Sequence, residues 1–275
     1  MKRYANAFPL KAALVLALML AVPGLAEAHR FWLLPSSTVL SGDGDWITVD
    51  AARSNDMFYF NHNAMGLNGL RVKTPDGGGA EPANRFTGEL RSVFDLRIEQ
   101  QGTYKIAVVD DGLFARYRID GEHRRWFGTA DEFATDIPDD AEELRASERI
   151  NRAETFVTAG APTREVFEPT GRGLELVPET HPNDLYAGET ARFRLLVDGE
   201  PAAGVDVTVV PGGARYRDDP GTMKFVTDDE GMVELTWPHA GMYWLEAGVS
   251  DDRVSSEYAA QRRLTYVATL EVLPL

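Results

Sequence analysis

"QGTYKIAV" (101–108) and "AGMYWLEA" (240–247) decide how this chain is read. Each enters an alternating run through a glycine, a spacer and a tyrosine. A late strand of a Greek-key sandwich starts this way when its tyrosine ties down a corner. Two such starts predict two tandem sandwiches. Each half also carries an earlier echo, "LSGDGDWITVDA" near residue 40 and "LYAGETARFRLLVDG" near residue 185, in which a polar, glycine-containing turn precedes an alternating strand.

Outward from these, period-two alternation rich in β-branched and aromatic residues predicts further strands. They are "WITVDA" (46–51), "SVFDLRI" (92–98), "TYKIAVVD" (103–110), "ARFRLLVD" (191–198), "GVDVTVV" (204–210), "MVELTW" (232–237), "YWLEAGV" (243–249) and "LTYVATLEVL" (264–273). Clusters such as "PDGGG", "DGEPAAG" and "DDEG" supply the turns. The expected class is all-β, with two tandem Ig-like β-sandwich modules at 29–115 and 171–275. Residues 116–170 read as an inter-domain insertion with a short solvated helix, in which Leu144, Ile150 and Phe156 stand among charges and Asp139 or Asp140 serves as N-cap. The basic, aromatic "GEHRRWFG" (121–128) either covers a site or packs between the modules.

The first 28 residues read as a secretory signal peptide. Lys2, Arg3 and Lys11 precede the apolar run "AALVLALMLAVPGLA", and Ala26 and Ala28 form an A-x-A cleavage signal. The run is short of the roughly 20 residues a membrane span needs. Cleavage after Ala28 leaves His29 with a free α-amino group beside its imidazole. The expected location is the periplasm. With no cysteine, disulfides, thiolate metal sites and a lipoprotein anchor are excluded. The chain has 28 Lys+Arg against 43 Asp+Glu, a net charge of −15. Such a surface repels nucleic acid and anionic lipid and favours a cation as partner.

Without thiolates, a transition-metal site must draw on the five histidines, carboxylates or the terminal amine. His29 can chelate through its amine and Nδ1, and one further imidazole completes a three-nitrogen plane suited to Cu(II) and workable for Ni(II). His62, in "RSNDMFYFNHNAMG" (53–66), is a ligand or a loop histidine; Met57 and Met65 beside it are soft ligands or core fillers. His181, in "ETHPNDLYAGE" (179–189), is a ligand oriented by Asp184 or part of a turn. His123 is read as a lid residue, and His239 in "WPHAGMY" as structural. No G-x-S-x-G, H-E-x-x-H, P-loop or dinucleotide fingerprint is present.

Together "AHRFWLLPS" (28–36), "SNDMFYFNHN" (54–63), "LELVPETHPNDLYAGE" (174–189), "RYRDDPG" (215–221) and "VTDDEGMVELTWPHAGMYWLEA" (226–247) resemble the DUF4198 family of exported bacterial proteins. The resemblance covers nearly the whole chain after the leader. It implies a periplasmic component of nickel or cobalt uptake whose mature chain starts at the histidine, with His29, His62 and His181 in the matched motifs. The second half also resembles Ig-like and carboxypeptidase-regulatory-like modules. The expected function is binding and delivery of a divalent transition metal (Ni, Co or Cu), or a small metal complex, to a separate membrane transporter or receptor, rather than enzymatic catalysis. Two rivals stand beside it. One is a histidine-brace copper oxygenase acting on polysaccharide, with Trp32, Trp126 and Tyr59 as substrate surface; the other is an adhesion or scaffold module.

Overall fold

The computed structural model describes residues 30–42 and 44–275, which form three β-sheets and one short helix. The first sheet holds β1 (Arg30–Pro35), β3 (Trp46–Ser54), β4 (Asn63–Ala64), β6 (Ala83–Thr87) and β7 (Ser92–Arg97). The second, of nine strands, holds β2 (Val39–Leu40), β5 (Leu70–Lys73), β8 (Gly102–Ile119), β9 (Glu122–Gly128), β10 (Glu142–Ala159), β14 (Asp206–Pro211), β15 (Met223–Val226), β17 (Gly241–Asp251) and β18 (Arg262–Val272). The third holds β11 (Leu174–Pro178), β12 (Thr190–Val197), β13 (Glu200–Pro201) and β16 (Met232–Thr236). All eight strands expected from alternation are present, so the all-β class stands.

The two sandwiches share the nine-stranded sheet. β10 pairs antiparallel with β8 on one side and parallel with β18 on the other. Ala153, Val157 and Ala159 on one face of β10 join Tyr104, Ile106 and Val108 in a core closed by the first sheet. Ile150 and Phe156 on the opposite face join Tyr266, Tyr243 and Phe193 in a core closed by the third sheet. The covering sheets therefore lie on opposite faces of the shared one. A third cluster, with Trp32, Met57, Val210, Trp244 and Val267, seals β1 against the far half of that sheet, and Trp244 Nε1 donates to the Phe31 carbonyl at 2.9 Å.

Residues 116–170 do not form a separate insertion. They supply the end of β8, all of β9 and β10, and the helix α1 (Ala130–Asp136). α1 lies earlier than expected: Thr129 is the N-cap in a capping box with Glu132, while 142–159 is strand. Buried charge hid that strand. Between Ile150 and Phe156, where the strand period calls for apolar residues, stand Arg152 and Glu154, 6% and 2% exposed. Arg152 Nη1 lies 3.4 Å from Glu154 Oε1, and its Nη2 lies 3.5 Å from Glu175 Oε1 and donates to the Arg172 carbonyl at 3.2 Å. The Tyr266 hydroxyl donates to Glu154 Oε2 at 2.9 Å. Burial first, and the Glu154 charge second, hold that phenol well above its ordinary pKa.

Both tyrosine corners form. The Tyr104 hydroxyl accepts from the amides of Glu99 (3.1 Å) and Gln100 (2.8 Å), and the Tyr243 hydroxyl donates to the His239 carbonyl at 2.8 Å. The preceding Gly102 and Gly241 have φ of 121° and 142°, which accounts for the Gly-x-Tyr pattern. Replacing Tyr104 or Tyr243 by Phe strips a buried hydrogen bond from a corner. Each change is expected to cost about 1–2 kcal/mol, read as a lower urea midpoint with an unchanged slope. An unshifted midpoint in both variants would remove the corners from the account of stability.

Candidate functional site

The sheet register builds a corner at the end of β3. Arg30, the first described residue, pairs with Ser54, and Asn63 pairs with Arg53 from the other side. His62 directly precedes Asn63, so β1's start and the His62 loop flank one strand end. His29 lies outside the described residues.

Ser54, fully buried, organises the loop that follows. Its hydroxyl donates to Asn61 Oδ1 and accepts from the Asp56 amide at 3.3 Å, while Asn61 Nδ2 donates to Asp56 Oδ2 at 3.3 Å. Phe58 takes a positive φ of 58° at the tip and meets Trp32 edge-on at 5.9 Å. His62 is half-buried. Met57 and Met65, 3% and 1% exposed, are core fillers here. Arg53 reaches Asp110 Oδ2 at 3.2 Å; burial still raises the Asp110 carboxyl above its usual pKa, with Arg53 opposing that shift.

Beside this corner opens a cavity of about 740 Å³ lined by Leu34, Phe58, Arg217, Asp219, His239 and Tyr243, among others. Four of the segments quoted for the resemblance thus meet around one space. Arg215, from the turn after β14, lays its guanidinium 3.6 Å over the Tyr59 ring. The residue pattern gave no reason to single out Arg215, since the contact depends on a long-range turn position.

Of the proposed ligands among the described residues, His181 and His123 stand apart from each other. His181 is 8% exposed and both ring nitrogens are engaged. Nδ1 accepts from the Asn183 amide at 3.1 Å, which puts the proton on Nε2, 3.2 Å from the Thr163 carbonyl and 3.0 Å from Thr103 Oγ1. Its ring meets Phe167 edge-on at 5.2 Å. The neighbour that orients it is therefore Asn183, not Asp184. His123 is exposed on β9 opposite Arg118. The stretch of β8 between Thr103 and Arg118, about 50 Å long at roughly 3.3 Å per residue, separates His123 from His181. Among the described residues no group of three or more His, Asp or Glu side chains is placed to hold a metal ion.

The aromatic surface expected for a polysaccharide enzyme is not assembled either. Trp32 is fully buried, Tyr59 lies under Arg215, and Trp126 packs on Phe133 at 5.4 Å and donates to Asp136 at 3.1 Å. Among the described residues no helix is long and apolar enough to cross a membrane.

His181 has a pH consequence. Burial, and secondarily the Arg164 charge, lower its pKa below the ordinary 6.5, against the Thr163 carbonyl and Asp184. The unfolded chain then binds a proton that the folded chain refuses. The stabilisation is whole above pH 6.5 and is lost as the pH falls through the folded pKa. Urea titrations on either side of that pH should show a steeper loss for the wild type than for His181→Gln. Equal slopes would contradict the buried neutral imidazole.

The family described as a domain of unknown function, DUF4198, matches residues 26–251. No curated protein matches the chain. Among solved structures it is similar to the D0–D1 domain of intimin (12% identity, 88% of this chain and 97% of that chain, TM-score 0.21). It is also similar to a marsupial T cell receptor (11%, 90% and 74%, 0.20) and to a DUF3823 family protein from Bacteroides uniformis (12%, 90% and 100%, 0.23). With its family match running across both sandwiches, from the segment before β1 to the end of β17, the chain belongs to the DUF4198 family.

Proposed function

We propose that this chain is a periplasmic binding and delivery protein for a divalent transition metal, nickel or cobalt, taken as the ion or as a small complex. His29 supplies its α-amine and imidazole, and His62 supplies the further nitrogen. The supporting observation is the register at the end of β3: Arg30 opposite Ser54 and Asn63 opposite Arg53 bring the first residue of β1 and the first residue of β4 to one corner. The neighbouring cavity of about 740 Å³ gives room for the organic part of a complex. The nine-stranded sheet holds the corner rigidly, because Trp244 is bonded to β1 one residue after Arg30. His181 and His123 are left out of the donor set, the first by its engaged nitrogens and the second by the stretch of β8, roughly 26 Å at about 3.3 Å per residue, between Asp110, which Arg53 reaches, and Arg118 opposite His123. Cargo then passes to a separate membrane transporter or receptor.

The Irving–Williams order makes Cu(II) bind such nitrogens more tightly than Ni(II) or Co(II) in vitro, so physiological selection rests on availability and geometry. The test compares calorimetric titrations of nickel, cobalt and copper into the chain starting at His29, the same chain with one extra amino-terminal residue, and the variants His29→Ala, His62→Ala and His123→Ala. The extra residue, His29→Ala and His62→Ala are each expected to weaken binding by at least about ten-fold, since even outer partners of a metal site contribute that much. His123→Ala should bind as the wild type does. Equal weak binding by all five would overturn the proposal. Copper-dependent, peroxide-dependent oxidation of polysaccharide by the native-start chain would replace it with the oxygenase reading.

A further inference from the structure

The strands beyond the sandwiches carry a ladder of arginines. Arg125 on β9 pairs with Arg116 on β8, which pairs on its other side with Arg145 on β10. Two pleats further along the same face, Arg149 on β10 pairs with Arg263 on β18. Like charges placed directly opposite across strands destabilise a sheet. Here five guanidinium groups meet in that way, and among the described residues none of the five has a carboxylate within ion-pair distance. Two acids nearby in the sequence are engaged elsewhere: Glu143 pairs with Arg118, and Glu148 accepts from Ser255 and Ser256.

The cluster has a built interior. A cavity of about 540 Å³ is lined by Arg116, Arg145, Arg149 and Arg263 together with Phe114 and Tyr258. Arg149 stacks its guanidinium 3.6 Å over the Phe114 ring, and Arg116 approaches the same ring at 5.4 Å. Arg149 Nε is buried without a hydrogen-bond partner. Burial first, then Arg263, Arg116 and Arg125, push the Arg149 guanidinium down to about 10. A cation disfavoured to this degree, held by stacking rather than by an acid, is stabilised when an anion completes its surroundings.

We propose that this arginine cavity is a binding site for a polyvalent phosphate group. Planar guanidinium forks match phosphate oxygens two at a time, and four of them around one cavity, with Arg125 paired to one of the four, exceed what a single carboxylate could neutralise. The chain's net charge of −15 does not prevent this. Charges more than about 8–10 Å away are screened at physiological ionic strength, so the local cluster sets the potential an incoming phosphate meets. The same chemistry comes from a soluble phosphoryl compound or from a phosphorylated lipid headgroup.

The test uses the intact native-start chain and the double variant Arg145→Gln/Arg263→Gln, both exposed positions that leave the Phe114 stack in place. Pyrophosphate is titrated by calorimetry, and cosedimentation is measured with phosphatidylcholine vesicles with and without phosphatidic acid. The double variant is expected to lose about a hundred-fold in pyrophosphate affinity, from two charge-assisted contacts. Its melting temperature in phosphate-free buffer should equal or exceed the wild type's, because like-charge contacts have been relieved. Loss of pyrophosphate binding in the variant supports a soluble ligand, and loss of binding confined to phosphatidic acid vesicles supports a headgroup. A wild type that binds neither, or a variant that retains the binding, overturns the proposal whatever the metal titrations show.

Discussion

β10 is the constraint on which the rest of the structure depends. It buries apolar residues in two different cores, on opposite faces, while pairing antiparallel with β8 and parallel with β18. A strand in that position must be covered on both sides, and two different sheets cover it. The sandwiches therefore cannot move as independent modules without unpairing their common sheet. The Trp32–Trp244 cluster adds a second fastening, tying β1 of the first sheet to the far half of the shared one. Both candidate sites lie off this frame. The His62 corner is at the end of β3, and the arginine cavity is where β8 and β10 run on past their covering sheets.

Arg152 and Glu154 at the centre of β10 show what such a position costs. An arginine and a glutamate almost fully withdrawn from water are tolerable only with dense pairing. Lys105, Glu175, Thr170, the Arg172 carbonyl and Tyr266 supply that pairing, with Arg152 Nε alone in the pair left without a hydrogen-bond partner. The segment after β10 is thereby held against the sheet, and with it the approach to β11. Removing one member would strand a buried charge.

Where the core is apolar, the sequence was legible. Alternation in "TYKIAVVD", "YWLEAGV" and "LTYVATLEVL" marks strands that bury one face in a sandwich, and the Gly-x-Tyr pattern marks both corners. It failed at β10, because the buried ion network put charged residues where the strand period called for apolar ones and left Leu144, Ile150 and Phe156 to be read as scattered apolar residues in an insertion with a short solvated helix. The site was legible only in part. Which histidine is locked away depends on partners far along the chain: Thr103 and Thr163 occupy Nε2 of His181, and no local spacing announces them. The arginine ladder was equally hidden, since Arg116, Arg125, Arg145, Arg149 and Arg263 are dispersed in sequence and meet only through strand register.

The central claim is that the amino terminus and His62 share one metal while His181 and His123 stay apart from it. Proton spectra of the histidine rings during a substoichiometric Cu(II) titration of the chain starting at His29 test this directly, because paramagnetic broadening falls steeply with distance. The account predicts that the His29 and His62 signals broaden away first while those of His123 and His181 keep their intensity. Broadening of His181 or His123 ahead of His62, or equally at all positions, would contradict it.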